Sequence, residues 1–147
     1  IEQIVEILVK YNIAAVIISN TTDRNRENLK NINKLEKGGL SGKPIELKSN
    51  DLIKIFYKMF KKNIKIIGVG GIDSGTSALE KLLNGASLVQ LYTGMVYKGP
   101  NIASKISIEL NEILKNQGIK NISEIIGTKN WPWRATLEIL YSHIFYV

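Results

Sequence analysis

The sequence predicts an α/β fold with parallel strands, because apolar runs typical of strands alternate with amphipathic stretches typical of helices. Strands are predicted at residues 14–19 (AAVIIS), 65–69 (KIIGV) and 87–92 (SLVQLY). The first of these runs is continuous, apolar and rich in β-branched residues, which is typical of strands buried on both faces, as parallel strands are. Alternation of strands and helices along the chain indicates a parallel sheet with crossover helices.

The predicted helices carry apolar side chains at helical spacing. They lie near residues 1–11, 52–60, 77–84, 103–114 and 122–126. Ser49, Asn50 and Asp51 are candidate N-terminal caps of the second helix, and Gly85 is the candidate end of the third. The polar residues 22–37 between the first strand and the second helix are predicted as a long loop.

Three strands cannot close a barrel that needs eight. If the fold is a (β/α)8 TIM barrel with parallel strands, this chain therefore represents its C-terminal portion. We expect residues 1–127 to form that portion and residues 128–147 to form a C-terminal tail of unassigned role. The tail contains both tryptophans and the only histidine of the chain.

The composition fits one globular domain and excludes several functional classes. The 147 residues are 44% hydrophobic, and they include no Cys that could form a disulfide, a thiolate zinc site or a cysteine nucleophile. The net charge is +7, but only three residues are arginine and the lysines are scattered. We therefore expect a solvated basic surface and no nucleic-acid partner, although charge by itself leaves an RNA-binding domain as a third hypothesis. Residues 1–12 match neither a signal peptide nor a membrane span.

Glycine-rich segments at residues 38–44 (GGLSGKP) and 66–72 (IIGVGGI), followed by LVQLYT at 88–93, are the most informative motifs. Glycine leaves backbone N–H groups accessible and permits positive φ, so such segments can wrap donors around an anion at the end of a strand. In a (β/α)8 barrel, phosphates commonly bind after the last two strands. An ordinary tight turn explains each glycine cluster about as well when it is taken alone.

Ser19, Asn20 and Thr21 end the first predicted strand and place two hydroxyls and an amide at the same edge of the sheet. The amide of Asn20 offers donors and an acceptor, which suits a planar ligand that displays carbonyl and N–H groups. The alternative role of Asn20 is local capping or an Asx turn.

In this order, the motifs resemble the C-terminal half of the class 2 (quinone-dependent) dihydroorotate dehydrogenases, which are flavin enzymes. The Lys43 and Pro44 pair after GGLSG, and the LYT that ends at Thr93, indicate class 2. The resemblance assigns substrate-ring binding to Asn20 and Thr21. It assigns contacts with the flavin or its phosphate to Ser19, Ser41, Gly42, Gly70, Gly71, Tyr92 and Thr93. Arg24 and Arg26 are out of phase with the family's arginine and receive no role.

The resemblance implies FMN-dependent oxidation of dihydroorotate to orotate, with a quinone as electron acceptor, at the mitochondrial inner membrane. The family's catalytic base, a lysine near the flavin and the helices that receive the quinone and contact the membrane would precede Ile1. No catalytic residue is therefore assigned within this chain, no metal site is expected, and the chain alone is expected to be inactive. The alternative is a non-catalytic half-barrel module that binds a phosphate ligand or a flavin.

Overall fold

The computed structural model describes residues 1–24, 26–27, 29–60 and 63–130, so most of the predicted tail lies outside the described residues. The helices and strands are α1 (Glu2–Lys10), β1 (Ala15–Ile18), α2 (Glu46–Phe60), β2 (Lys65–Val69), α3 (Gly75–Asn84), β3 (Leu88–Gln90), α4 (Thr93–Lys98) and α5 (Ile102–Asn116). Short 3-10 turns occupy Ile32–Leu35, Lys43–Ile45, Ile122–Glu124 and Thr128–Asn130.

The strands of the described residues form a parallel sheet in the order β1, β2, β3. Ile17 pairs with Ile67, and Ile67 pairs with Leu88, so the three strands run in register across the sheet. This arrangement confirms the α/β prediction and fits a partial α/β barrel. Because the strands are parallel, their carboxyl ends lie at one edge of the sheet.

The two faces of the sheet differ in their burial. Ile18 and Ile66 are buried on the helix side against Ile53, Phe56 and Phe60 of α2. On the other face, the side chains of Ile17 and Leu88 are 55% and 63% exposed. The prediction that the first strand is buried on both faces is therefore wrong at Ile17, because the helices cover only one face of this three-stranded sheet.

Helix α2 begins earlier than its predicted caps. It starts at Glu46, directly after a 3-10 turn that contains Pro44 near its start, where the fixed φ of proline favours a helical turn. Ser49 and Asn50 therefore lie inside the helix, both buried, and they bind other elements instead of capping α2. This corrects the prediction of Ser49, Asn50 and Asp51 as N-terminal caps.

The boundaries of α3 are set by its caps. Ser74 and Ser77 form a reciprocal capping box at its start, and Gly85, with φ of 123°, ends it as predicted.

The third strand is shorter than predicted. The sequence predicts a strand that runs to Tyr92, but β3 ends at Gln90, and the short helix α4 begins at Thr93.

Helix α5 packs on α3 through two apolar clusters. Ile102 and Ile106 contact Ala78 and Ile72, whereas Leu79 and Leu82 pack with residues that include Ile125 from the turn after α5. Residues 128–130 continue this packing, since Lys129 pairs with Glu80 of α3 at 2.6 Å. The domain boundary at residue 127 stays a prediction.

Candidate functional site

An open cleft of about 1150 Å³ lies at the carboxyl edge of the sheet. We call it the carboxyl-edge cleft. It is lined by all of the predicted site residues, namely Ser19, Asn20, Thr21, Ser41, Gly42, Gly70, Gly71, Tyr92 and Thr93. These residues come from four separate segments of the chain. The fold therefore brings together the motifs that were recognised separately in the sequence.

Residues 38–42, which we call the GGLSG loop, contact the start of α4. The hydroxyl of Thr93 donates a hydrogen bond to Ser41 Oγ at 2.9 Å. Gly42 has φ of 76°, and a Cβ at this position would lie 2.8 Å from Thr93 Cγ2. The loop thus packs closely on Thr93 and places its Ser41 hydroxyl inside the cleft.

The other side of the GGLSG loop is joined to the segment after β1. Thr22 and Leu40 form an antiparallel bridge, in which Leu40 N donates to Thr22 O at 2.7 Å. Gly39 lies directly against the side chain of Thr21. The Asn20 amide oxygen accepts a hydrogen bond from Thr21 N at 2.7 Å, a contact with the next residue that is neither a helix cap nor an Asx turn.

Arg26 holds the long loop in place, a role that the sequence did not reveal. Its guanidinium donates to the backbone carbonyls of Lys34, Glu36 and Gly38, and the Glu36 contact is 2.5 Å. A planar guanidinium can bind several carbonyls at once, which suits it to this position. Arg26 thereby supports the first residue of the GGLSG loop.

Gly70 and Gly71, which we call the double-glycine turn, follow β2 with φ of 110° and 80°. Residues with a side chain rarely adopt these φ values. A Cβ at Gly71 would also lie 2.7 Å from Glu46 Cα, and the Ser49 hydroxyl donates to Val69 O at 2.5 Å. The first turns of α2 therefore lie directly beneath the double-glycine turn.

Four charged side chains form a cluster at the rim of the cleft. Lys43 Nζ lies 2.5 Å from a Glu46 carboxylate oxygen and 3.6 Å from Asp73, and Lys98 Nζ lies 3.3 Å from Asp73. The hydrogen bond with Glu46 raises the pKa of Lys43. Partial burial acts to raise the pKa of Asp73, but the hydrogen bond from Lys98 and the charges of both lysines outweigh it and lower that pKa below its ordinary value.

This cluster of charged side chains, which the sequence did not reveal, connects three segments of the chain. Lys43 follows the GGLSG loop, Asp73 follows the double-glycine turn, and Lys98 ends α4. Among the described residues, no group of three or more His, Cys, Asp or Glu side chains is placed to hold a metal ion. None of the described helices is long and apolar enough to cross a membrane.

The chain is similar to known proteins of one family. The sequence profile of the family described as dihydroorotate dehydrogenase matches residues 1–114. A dihydroorotate dehydrogenase (quinone) of Buchnera aphidicola is 50% identical over 99 residues, which are 67% of this chain and 30% of the relative. The mitochondrial dihydroorotate dehydrogenase (quinone) of Mus musculus is 40% identical over 126 residues, which are 86% of this chain and 32% of the relative.

A solved structure has the same fold. The crystal structure of ligand-free DHODH from Eimeria tenella superposes with a TM-score of 0.84 at 36% sequence identity, over 88% of this chain and 36% of that one. The chain thus spans about a third of the length of the proteins that it matches. It belongs to the dihydroorotate dehydrogenase family, and its relatives carry the name of the quinone-dependent class 2 enzymes.

Proposed function

We propose that these residues act within a complete barrel that oxidises dihydroorotate to orotate, with FMN as cofactor and a quinone as electron acceptor. In that barrel, this chain supplies the contacts to the flavin phosphate and to the substrate ring. The observation that carries the proposal is the single cleft lined by the SNT segment, the GGLSG loop, the double-glycine turn and the start of α4.

The groups around the cleft fit a phosphorylated flavin. Gly70 and Gly71 line the cleft at the end of a parallel strand, and Ser41 and Thr93 add hydroxyls. Lys43 and Lys98 add ammonium groups at the rim, where both are paired with Asp73. Backbone N–H groups, hydroxyls and cations are the donors that phosphate sites use. When bound, FMN would supply the hydride acceptance that no side chain can provide.

Asn20 and Thr21 are proposed to bind the substrate ring. They follow β1, on the opposite side of the GGLSG loop from Thr93. The Asn20 amide oxygen is engaged with Thr21 N, so the role proposed for Asn20 rests on its amide NH2 group, which can donate to a ring carbonyl. Ser19 is proposed to lie beside the flavin.

The remaining machinery is proposed to come from outside these residues. A base that takes the substrate proton, and the helices that receive the quinone and meet the membrane, are assigned to the other part of the barrel. The exposed side chains of Ile17 and Leu88 face the side of the sheet that a closed barrel would cover. The mouse relative is named mitochondrial, whereas other relatives are bacterial or archaeal, so location at the mitochondrial inner membrane is proposed from resemblance alone.

The second candidate is a non-catalytic half-barrel module that binds a flavin or another phosphate ligand. It is favoured by the three-stranded sheet of the described residues, which has the cleft but only part of a barrel. Both candidates predict binding of a phosphate ligand. They differ in whether dihydroorotate reduces the bound flavin.

Anaerobic titration with dihydroorotate separates the two. In a protein that joins this chain to the rest of the barrel, we expect dihydroorotate to bleach the flavin absorbance and a quinone to restore it. The 147-residue chain alone is expected to leave the absorbance unchanged. Bleaching by the chain alone would contradict the proposed division of roles, and bound flavin that dihydroorotate never bleaches in the joined protein would favour the non-catalytic module.

A further inference from the structure

Lys81 is a fully buried lysine that has no contact with the carboxyl-edge cleft. It lies on α3, its relative exposure is 0%, and its Nζ donates to Asn50 Oδ1 of α2 at 2.6 Å. Ala78, Leu79 and Leu82, which are also buried on α3, are apolar. Lysine is almost never fully buried unless its ammonium group is paired, because removal of the charge from water is costly.

A glycine in β2 makes room for this lysine. A Cβ placed on Gly68 would lie 3.0 Å from Lys81 Cδ and equally close to Ile53 Cδ1 and Ala86 Cβ. The aliphatic stem of Lys81 therefore crosses β2 at the one position of that strand without a side chain. Gly68 weakens β2 locally, and burial of an ammonium group on α3 is unfavourable. Both features lower the stability of the fold where Lys81 reaches α2.

Stability alone does not explain the pair. An apolar residue of similar length at position 81 would fill the same space without a buried charge, and such replacements of buried ionic groups are often neutral or stabilising. The effect of Lys81 on the position of Asn50, to which it donates a hydrogen bond, therefore offers a better explanation than stability.

The hydrogen bond acts on the face of α2 that supports the double-glycine turn. Glu46, Ser49 and Asn50 are spaced by three and four residues and so lie on one face of the helix. On that face, Glu46 packs beneath Gly71, and the Ser49 hydroxyl binds the end of β2. Asn50 completes the row through its bond with Lys81.

We propose that Lys81 is a positioning residue, whose hydrogen bond to Asn50 fixes the first turns of α2 and thereby holds the double-glycine turn in the conformation that binds a phosphate. The proposal rests on the proposed function of that turn. It assigns Lys81 no contact with a ligand. It also explains why β2 carries a glycine at position 68, where a strand residue with a side chain would exclude the lysine.

The test compares two flavins in the protein that contains these residues within the complete barrel. Riboflavin has the same ring system as FMN and no phosphate, so it reports the ring contacts alone. We expect Lys81→Met to weaken FMN binding by about tenfold and to change riboflavin binding by less than about threefold. The thermal midpoint of the apo protein should stay the same or rise, because a buried charge is removed.

Leu82→Met is the matched control, since Leu82 is a buried neighbour on α3 that packs in an apolar cluster with Leu79 and Ile125 and has no polar group to bind Asn50. It should leave the ratio of FMN to riboflavin affinity unchanged. An equal loss of FMN affinity in Leu82→Met, an unchanged FMN affinity in Lys81→Met, or failure of Lys81→Met to fold would each overturn the proposal, because each would make Lys81 an ordinary core residue.

A double-mutant cycle with Asn50→Leu separates this proposal from the function on which it rests. Asn50→Leu alone leaves the Lys81 ammonium group without its acceptor and should lower the thermal midpoint, whereas adding Lys81→Met should restore it. Additive effects of the two changes would overturn the positioning role. If the unaltered protein binds FMN no better than riboflavin, the proposed phosphate site fails, and the cycle still decides whether Lys81 holds α2 in place.

Discussion

Glu46 occupies the space in which a side chain at position 71 would lie. A Cβ on Gly71 would be 2.7 Å from Glu46 Cα, and the φ of Gly71 is 80°. The glycine is therefore required by the packing of α2 beneath the turn, whether or not a phosphate binds above it. A substitution at Gly71 would clash with the protein itself, so loss of flavin from such a variant would not by itself demonstrate a phosphate contact.

Gly71→Ala is expected to destabilise the protein more than Gly99→Ala. Gly99 has a nearly identical φ of 82°, but nothing lies within 4 Å of its Cβ position. With ψ of 173°, Gly99 lies in a region that residues other than glycine rarely adopt, so Gly99→Ala carries only this backbone strain, about 1–3 kcal/mol. Gly71→Ala adds crowding against Glu46, which costs about 1–3 kcal/mol more. Urea unfolding of the two apo variants measures the difference, and equal losses would show that α2 does not support the turn.

Thr93→Val should loosen the GGLSG loop without changing the volume of the side chain. It removes the donor to Ser41 Oγ, so we expect a loss of about 0.5–1.5 kcal/mol in unfolding free energy and a comparable weakening of FMN binding. Thr76→Val, at an exposed position of α3, is the control for replacement of a threonine hydroxyl by a methyl group. Addition of Ser41→Ala should produce little further loss in the unfolding free energy of the apo protein, because both changes remove the same hydrogen bond. Fully additive losses would contradict the coupling.

Asn20→Ala should weaken orotate binding by about 1–3 kcal/mol while FMN binding changes little, because a ring group loses its partner in the site. Asn20→Asp distinguishes the two roles of this side chain. It retains an oxygen that can accept from Thr21 N but removes the amide donor. If Asn20→Asp retains the orotate affinity of the unaltered protein, Asn20 acts through its oxygen and not as a donor to the ring. Calorimetric titration of orotate into the flavin-bound variants measures the orotate affinity of each.

Lys81 should make stability depend on pH in the alkaline range. Burial lowers its pKa from 10.5 to about 8, against the opposing influence of Glu46 and with a smaller contribution from Lys43. Between pH 8 and pH 10.5, Lys81 binds its proton more readily in the unfolded chain than in the folded protein. The unfolding free energy therefore rises with pH in this range, by at most about 1.4 kcal/mol per pH unit.

The comparison with Lys81→Met isolates this contribution, because the other titrating groups are shared. The unaltered protein should gain stability relative to Lys81→Met as the pH is raised from 8 towards 10.5. Parallel stability curves for the two proteins would show that the ammonium group of Lys81 titrates as it does in water.

The sequence predicted those features that depend on local pattern. The second strand was predicted with its observed bounds, and Gly85 was recognised as the end of α3, because apolar runs and glycine caps are local signals. The start of α2 was misplaced because Ser49 and Asn50 have the side chains of caps, and only the folded chain gives them Val69 and Lys81 as partners. The burial of Lys81 could not be predicted from the sequence, because a lysine on an amphipathic helix is expected to face solvent.

The affinity of the apo protein for FMN relative to riboflavin, measured in the complete barrel that contains these residues, tests the central claim most directly. Each charge-assisted hydrogen bond to the phosphate contributes about 1.5–3 kcal/mol, so contacts from the double-glycine turn and the start of α4 together should favour FMN by at least about a hundredfold. Inorganic phosphate should compete with FMN and leave riboflavin binding unaffected. Equal affinities for the two flavins, with no competition by phosphate, would contradict the assignment of the carboxyl-edge cleft as the flavin phosphate site.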